Sequence, residues 1–104
     1  MEELEQKAFT LIVHSGEGRS YAFEAMRAAR QKDFAKAREL IQSASHEFEE
    51  AHTIQTELLT MEANGQKNVL SLLMVHAQDH LMTGLTVKQL ADEIIALRED
   101  MKAE

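Results

Sequence analysis

The sequence contains no cysteine, no proline and no tryptophan. Without cysteine there is no disulfide framework, no thiolate nucleophile and no thiolate metal ligand. Without proline, and with only four glycines, little interrupts a helix, so long continuous helices are favoured. Aromatic residues make up 5% of the chain, so its core must be aliphatic and methionine-rich. An excess of positive charge is also lacking: 11 Lys and Arg stand against 18 Asp and Glu, a net charge of −7. That balance argues against a nucleic-acid partner, which needs a concentrated basic surface. No apolar run approaches the ~20 residues of a membrane-spanning helix. The opening stretch, MEELEQK, is acidic and has neither the basic start nor the apolar segment of a secretory signal. The expectation is a soluble, cytoplasmic protein with a single domain over residues 1–104. A domain of this size buries roughly 60–70% of its unfolded surface and folds alone with little margin.

What is present is periodicity. Asp33, after Gln31 and Lys32, suits a helix N-cap, and Asn64 or Gly65 suits a left-handed C-terminal cap. These two points predict helices over about residues 2–31, 33–63 and 67–102. The second segment carries a seam at Phe34, Ala37, Ile41, Ala44, Phe48, Ala51, Gln55 and Leu58. The third carries Val69, Leu73, His76, His80, Thr83, Val87, Leu90, Ile94, Leu97 and Met101. Both alternate spacings of three and four, as in coiled-coil packing. In the first segment Leu4, Ala8, Leu11, Ser15, Ala22, Ala25 and Ala29 share a face. The intervening Ser15-Gly16-Glu17-Gly18 predicts a kink or local loosening, because glycine costs about 1 kcal/mol in a helix interior. Short connections between three long helices imply an all-α, up-down-up antiparallel three-helix bundle.

The third helix is apolar nearly all round. Leu70, Met74, Leu81 and Leu85 lie opposite Val69, Leu73, His76, His80 and Thr83 at 100° per residue. Such a helix requires burial on every side, which two companion helices cannot give. Either further copies of the chain cover it, or it presents an apolar stripe to a partner.

Within that apolar frame sits VHAQDHLM, residues 75–82. His76 and His80 stack one turn apart, and Asp79 flanks them. Three readings compete on these residues. The first is a polar layer that fixes register. The second is a zinc site, with His52 as a third ligand. A di-iron centre, by contrast, needs paired Glu-x-x-His motifs, and Glu49 to His52 is a single one. The third is a histidine that accepts a phosphoryl group, since neutral imidazole is nucleophilic near pH 7 and a rigid helix is a good mount for it. Spacing does not choose between the last two.

VHAQDHLM strongly resembles the signature of the lactose/cellobiose-type enzyme IIA proteins of the bacterial phosphoenolpyruvate-dependent sugar phosphotransferase system. HSGEGRS, residues 14–20, is similar to the family's first-helix motif, and AHTIQTELL, residues 51–59, to its second-helix motif. The order and spacing also agree. The resemblance implies a three-helix subunit assembled into a homotrimeric nine-helix bundle. It also implies a carrier role: the histidine phosphocarrier protein phosphorylates enzyme IIA, enzyme IIA passes the group to a cysteine of enzyme IIB, and the membrane component IIC moves the sugar. The implied phosphohistidine is His76, through Nε2. The implied metal residue is Asp79, near a threefold axis, with one divalent ion shared per trimer. Mg²⁺ suits that role, because converging carboxylates repel unless neutralised and a hard ion prefers oxygen.

Gln78 and His80 are candidates for support: Gln78 by donating its amide to a phosphoryl oxygen, although it lies well off the His76 face, and His80 by orienting His76 or stabilising the dianion. His52 and Gln55 are expected to bond to each other or across an interface. His14 and His46 are expected to be solvated. Met74 and Met82 are expected in the core, with Met82 also a candidate for an apolar rim that meets enzyme IIB. The resemblance further implies that the sugar is never touched, so no residue here encodes lactose, cellobiose or chitobiose. The competing class is a metal-stabilised helical scaffold or regulator without phosphotransfer.

Overall fold

The computed structural model describes residues 2–65 and 71–101. Three helices account for almost all of them: α1 (Glu2–Arg30), α2 (Phe34–Ala63) and α3 (Leu72–Met101). A helix of about 30 residues spans about 45 Å, so each must run most of the length of a body measuring 57 × 19 × 18 Å. Cross-helix pairs fix the directions. Lys7 meets Glu57 and His14 meets Glu47 between α1 and α2, while Gln55 meets Gln78 and Arg38 meets Glu99 between α2 and α3. Rising numbers oppose falling ones in both sets, so the bundle is antiparallel, up-down-up. None of the described helices is long and apolar enough to cross a membrane.

The α1–α2 turn is tighter than its sequence suggests. Lys32 adopts φ +66°, a left-handed position where glycine is usual. Its amide donates to Ala29 O and the amide of Asp33 to Ala28 O, both at 3.0 Å, which is the paired closure that ends helices at such a residue. The Asp33 side chain then accepts from the Lys36 amide at 3.2 Å. One residue thus helps close α1 and opens α2. At the far end of α2, the left-handed residue is Gly65, φ +91°, while Asn64 keeps negative φ. Ser71 begins α3, its hydroxyl accepting from the Met74 amide at 3.1 Å. The expected start of the third helix, Val69 and Leu70 of its predicted stripes, and residue 102 lie outside the described residues.

The seams predicted for the first two helices form the core. Ala8, Leu11, Ser15, Ala22, Ala25 and Ala29 of α1 are buried, and so are Ala37, Ile41, Ala44, Phe48, Ala51 and Leu58 of α2. The third helix differs. Its buried residues are Ala77, Leu81, Gly84, Ala91 and Ile95, whereas the expected seam residues Leu90, Ile94, Leu97 and Met101 are exposed, Leu97 by 59%. The buried face is turned about 100° from the predicted seam, whose Leu73 and Val87 still pack against the core, as do Met74, Leu81 and Leu85 of the opposite predicted stripe. Both stripes are apolar with the same period, so period alone cannot say which face turns inward. Met82 is likewise 55% exposed rather than in the core, while Met74 packs beside Leu81.

α1 is one continuous helix through residues 15–18. The small residues there serve the neighbours. A Cβ on Gly18 would stand 2.7 Å from Cε2 of Phe48, and one on Gly84 of α3 would stand 2.9 Å from Cε1 of the same ring. The Phe48 ring is thus gripped between glycines of two other helices. The same Gly84 position lies 3.5 Å from the Ser15 carbonyl, so the α1 and α3 backbones nearly touch. Two core clusters extend from this level, one around Leu11, Leu58 and Leu81, the other around Ile41 and Ile95. Burying each such Leu or Ile contributes about 1.5–3 kcal/mol.

Gly18→Ala is expected to destabilise the chain. Overpacking against a ring already held on its other side costs about 1–3 kcal/mol, against a propensity gain of about 1 kcal/mol. Urea unfolding should show the loss and should show it shrink in a Phe48→Leu background. An equal loss in both backgrounds would mean the ring is not the obstacle.

Candidate functional site

The VHAQDHLM turn lies in the first half of α3, which Ala77 and Leu81 lock against the core with no exposed surface. Those anchors set the orientation of every residue between them. His76 is exposed and His80 half-buried. Their ring centroids lie 5.0 Å apart with planes tilted by 49°, as one turn of helix requires. His80 leans towards α1, its Nε2 3.8 Å from where a Cβ on Gly16 would stand. An exposed imidazole on a fixed helix can present a free nitrogen to another protein while its neighbour remains in place.

Asp79 is exposed on the outer side of α3, level with the exposed Val75 and Met82. Its backbone carbonyl accepts from the Thr83 hydroxyl at 2.8 Å. Gln78 faces the other way. It is half-buried, and its Oε1 accepts from Gln55 Nε2 of α2 at 2.8 Å. Two residues round a helix is about 200°, so within one chain Gln78 stands apart from the His76–His80 pair. The structure therefore joins His76 with His80, places Asp79 beside them on the open face, and sends Gln78 to α2.

The other polar candidates resolve as follows. Gln55 bonds to Gln78 rather than to His52, which lines an open cleft between α2 and α3 with Phe48, Leu85 and Lys88. His14 is half-buried and not simply solvated, its Nδ1 lying 2.7 Å from Glu47 Oε1. His46 is exposed. Among the described residues of one chain, no three His, Cys, Asp or Glu side chains gather as a metal-holding group. That sets aside a zinc site drawing His52 to His76 and His80 within a single chain.

The sequence pattern of the family described as the PTS system, lactose/cellobiose-specific IIA subunit, matches residues 6–99. The chain belongs to this family. Over 98 residues it is 53% identical to the lichenan-specific phosphotransferase enzyme IIA component of Bacillus subtilis (strain 168), covering 94% of this chain and 89% of that protein. The crystal structure of the PTS cellobiose-specific enzyme IIA from Bacillus anthracis superimposes with a TM-score of 0.97 at 46% identity, covering 100% of this chain and 95% of that one. The solution structure of the IIA(chitobiose)–HPr complex from the N,N'-diacetylchitobiose branch of the Escherichia coli phosphotransferase system matches with a TM-score of 0.84 at 41% identity, covering 98% and 99% of the two chains. This IIA chain is thus a component of the sugar phosphotransferase system.

Within this IIA chain, the glycines at 16, 18 and 84 were the legible trace of the contacts that sequence patterning missed. A glycine inside a helix pattern signals a close neighbour, though not which one. The Gln55–Gln78 bond left no such trace. It is expected to couple the two residues by about 0.5–1.5 kcal/mol. Unfolding of Gln55→Ala, Gln78→Ala and the double variant should show less than additive loss, and strict additivity would show that the bond is energetically idle.

Proposed function

We propose that this chain is a phosphoryl carrier that accepts the group on His76 Nε2 from the histidine phosphocarrier protein and passes it to a cysteine of enzyme IIB. The observation that carries this reading is the exposed His76 imidazole, mounted on a core-anchored helix with His80 against it, in a chain of the IIA family. The relative solved in complex with HPr supports the donor.

The chemistry requires little beyond positioning. The lone pair of neutral His76 attacks the phosphorus of the donor's phosphohistidine in line. The N–P bond of the donor breaks, and its electron pair returns to the donor nitrogen. Transfer onward forms a sulfur–phosphorus bond as the His76 N–P bond breaks. Catalysis of such a step is mostly alignment and charge stabilisation. His80, one turn away, is placed to donate a hydrogen bond to the phosphoryl oxygens. Gln78 of the same chain is turned towards α2, so its amide reaches this phosphoryl group only if neighbouring copies bring it there.

The reading includes a homotrimer. Leu72, 86% exposed, continues through Val75, Met82, Leu90 and Leu97 as an apolar stripe on α3, more than a soluble surface normally leaves open. Two further copies packing α3 against α3 would cover it in a nine-helix bundle. Asp79 lies on that stripe, and three copies of it would supply the carboxylate oxygens that suit a hard divalent ion such as Mg²⁺. The ion's contribution there is to neutralise three converging charges and hold the assembly. The protein would act in the cytoplasm, between the soluble donor and enzyme IIB at the membrane component IIC.

Incubation with phosphoenolpyruvate, enzyme I and the phosphocarrier protein should attach one acid-labile phosphoryl group per chain, and none to His76→Ala. Full labelling of that variant would overturn the assignment and favour a scaffold without phosphotransfer. Asp79→Leu should lose divalent-ion binding while the trimer stays as stable or gains stability, because apolar surface replaces like charges. Sedimentation showing monomers of that variant would contradict the axial placement.

A further inference from the structure

Gly16 is the one glycine of the HSGEGRS motif that packing does not explain. Gly18, about half a turn away, is demanded by the Phe48 ring, which a Cβ would strike. At Gly16 nothing comes closer than 3.8 Å to the place of a Cβ, and the atom at that distance is Nε2 of His80. Nor does the backbone demand glycine there, since the residue lies within unbroken α1 and has no positive φ. A methyl group there would meet His80 in ordinary contact, but a longer side chain would take the place the imidazole occupies beside α1.

The surroundings make this space a fixed one. The preceding residue, Ser15, is wholly buried, and its carbonyl lies 3.5 Å from the Cβ position of Gly84 on α3. The two backbones are therefore held together within a turn of Gly16. His80 in turn holds His76, with ring centroids 5.0 Å apart. We propose that Gly16 is a positioning residue for phosphoryl transfer: the space above its Cα seats the His80 ring against α1 and thereby sets the pose of the His76–His80 pair. This rests on His76 being the phosphoryl acceptor.

The test uses the full chain in its native assembly. Single-turnover transfer from the phosphorylated phosphocarrier protein is timed for Gly16→Ala, Gly16→Val and Gly16→Leu, each with His80 and with His80→Ala, alongside His76→Ala. Helix content and melting are followed by circular dichroism. A methyl group 3.8 Å from His80 is in ordinary contact, so Gly16→Ala should shift the His80 imidazole resonances, and not those of His46, and should lose the least transfer rate of the three variants. Gly16→Leu should fold yet transfer about ten- to a hundredfold more slowly, as a displaced reacting group does. Gly16→Val is read in the same way if the leucine variant does not fold. With His80→Ala in place, the larger side chains should cause no further loss.

Native-rate transfer by a folded Gly16→Val or Gly16→Leu overturns the seat. So does an equal loss without His80, which would make Gly16 part of the surface that a partner docks against. Unmoved His80 resonances in Gly16→Ala overturn it as well. Full labelling of His76→Ala would instead defeat the function on which the seat rests, whatever the Gly16 variants do.

Discussion

The bundle turns on one ring held between two backbones. Phe48 of α2 enters where α1 and α3 approach most closely, and Gly18 and Gly84 leave it only the space it fills. Close packing makes such a joint intolerant of even a methyl group. It also sets three things together: the depth of α2, the rotation of α1, and the separation of α1 from α3 at Ser15. Because α3 carries His76 and His80 just N-terminal to Gly84, the joint sets how those histidines stand relative to α1. The stiffness that the proposed acceptor requires comes from this joint rather than from any loop.

Around it, the helices divide the labour. α1 packs along both of the others, while α2 and α3 touch least. Polar links also join α2 to α3, Gln55 to Gln78 near one end and Arg38 to Glu99 at 2.7 Å near the other, beside the apolar packing of Phe48 and Leu58 with Leu81. Exposed ion pairs contribute little, commonly under about 1 kcal/mol each. They set register between α2 and α3, and apolar burial against α1 supplies the bulk of the stability.

In the proposed reading the chemistry sits at the edge between two apolar faces of α3. One face is buried in the home chain through Ala77, Leu81 and Ile95, and the other is open through Leu72, Val75, Met82 and Leu97. His76 lies at the border, exposed but next to the buried Ala77. A fully buried imidazole could not meet a partner, and one on a freely solvated surface would lack fixed neighbours. The border position gives both access and support.

The sequence by itself determined the three helices, the cap at Asp33 and a left-handed cap at Asn64 or Gly65, the α1 and α2 seams, the VHAQDHLM motif and the family. Each follows from local rules: three-four periodicity, left-handed permissiveness, capping hydroxyls and carboxylates, or a contiguous string of residues. Only the tertiary structure decided which face of α3 turns inward, since a helix apolar nearly all round offers several equivalent faces until a neighbour occupies one of them. It likewise decided which neighbours the small residues at 15–18 meet. A helical glycine has the same local propensity cost whether the helix bends or a ring presses against it, and only the position of Phe48 on another helix separates the two. The partners of His14 and Gln55 were illegible for the same reason: a hydrogen bond between helices depends on their relative rotation and depth, which no local pattern encodes.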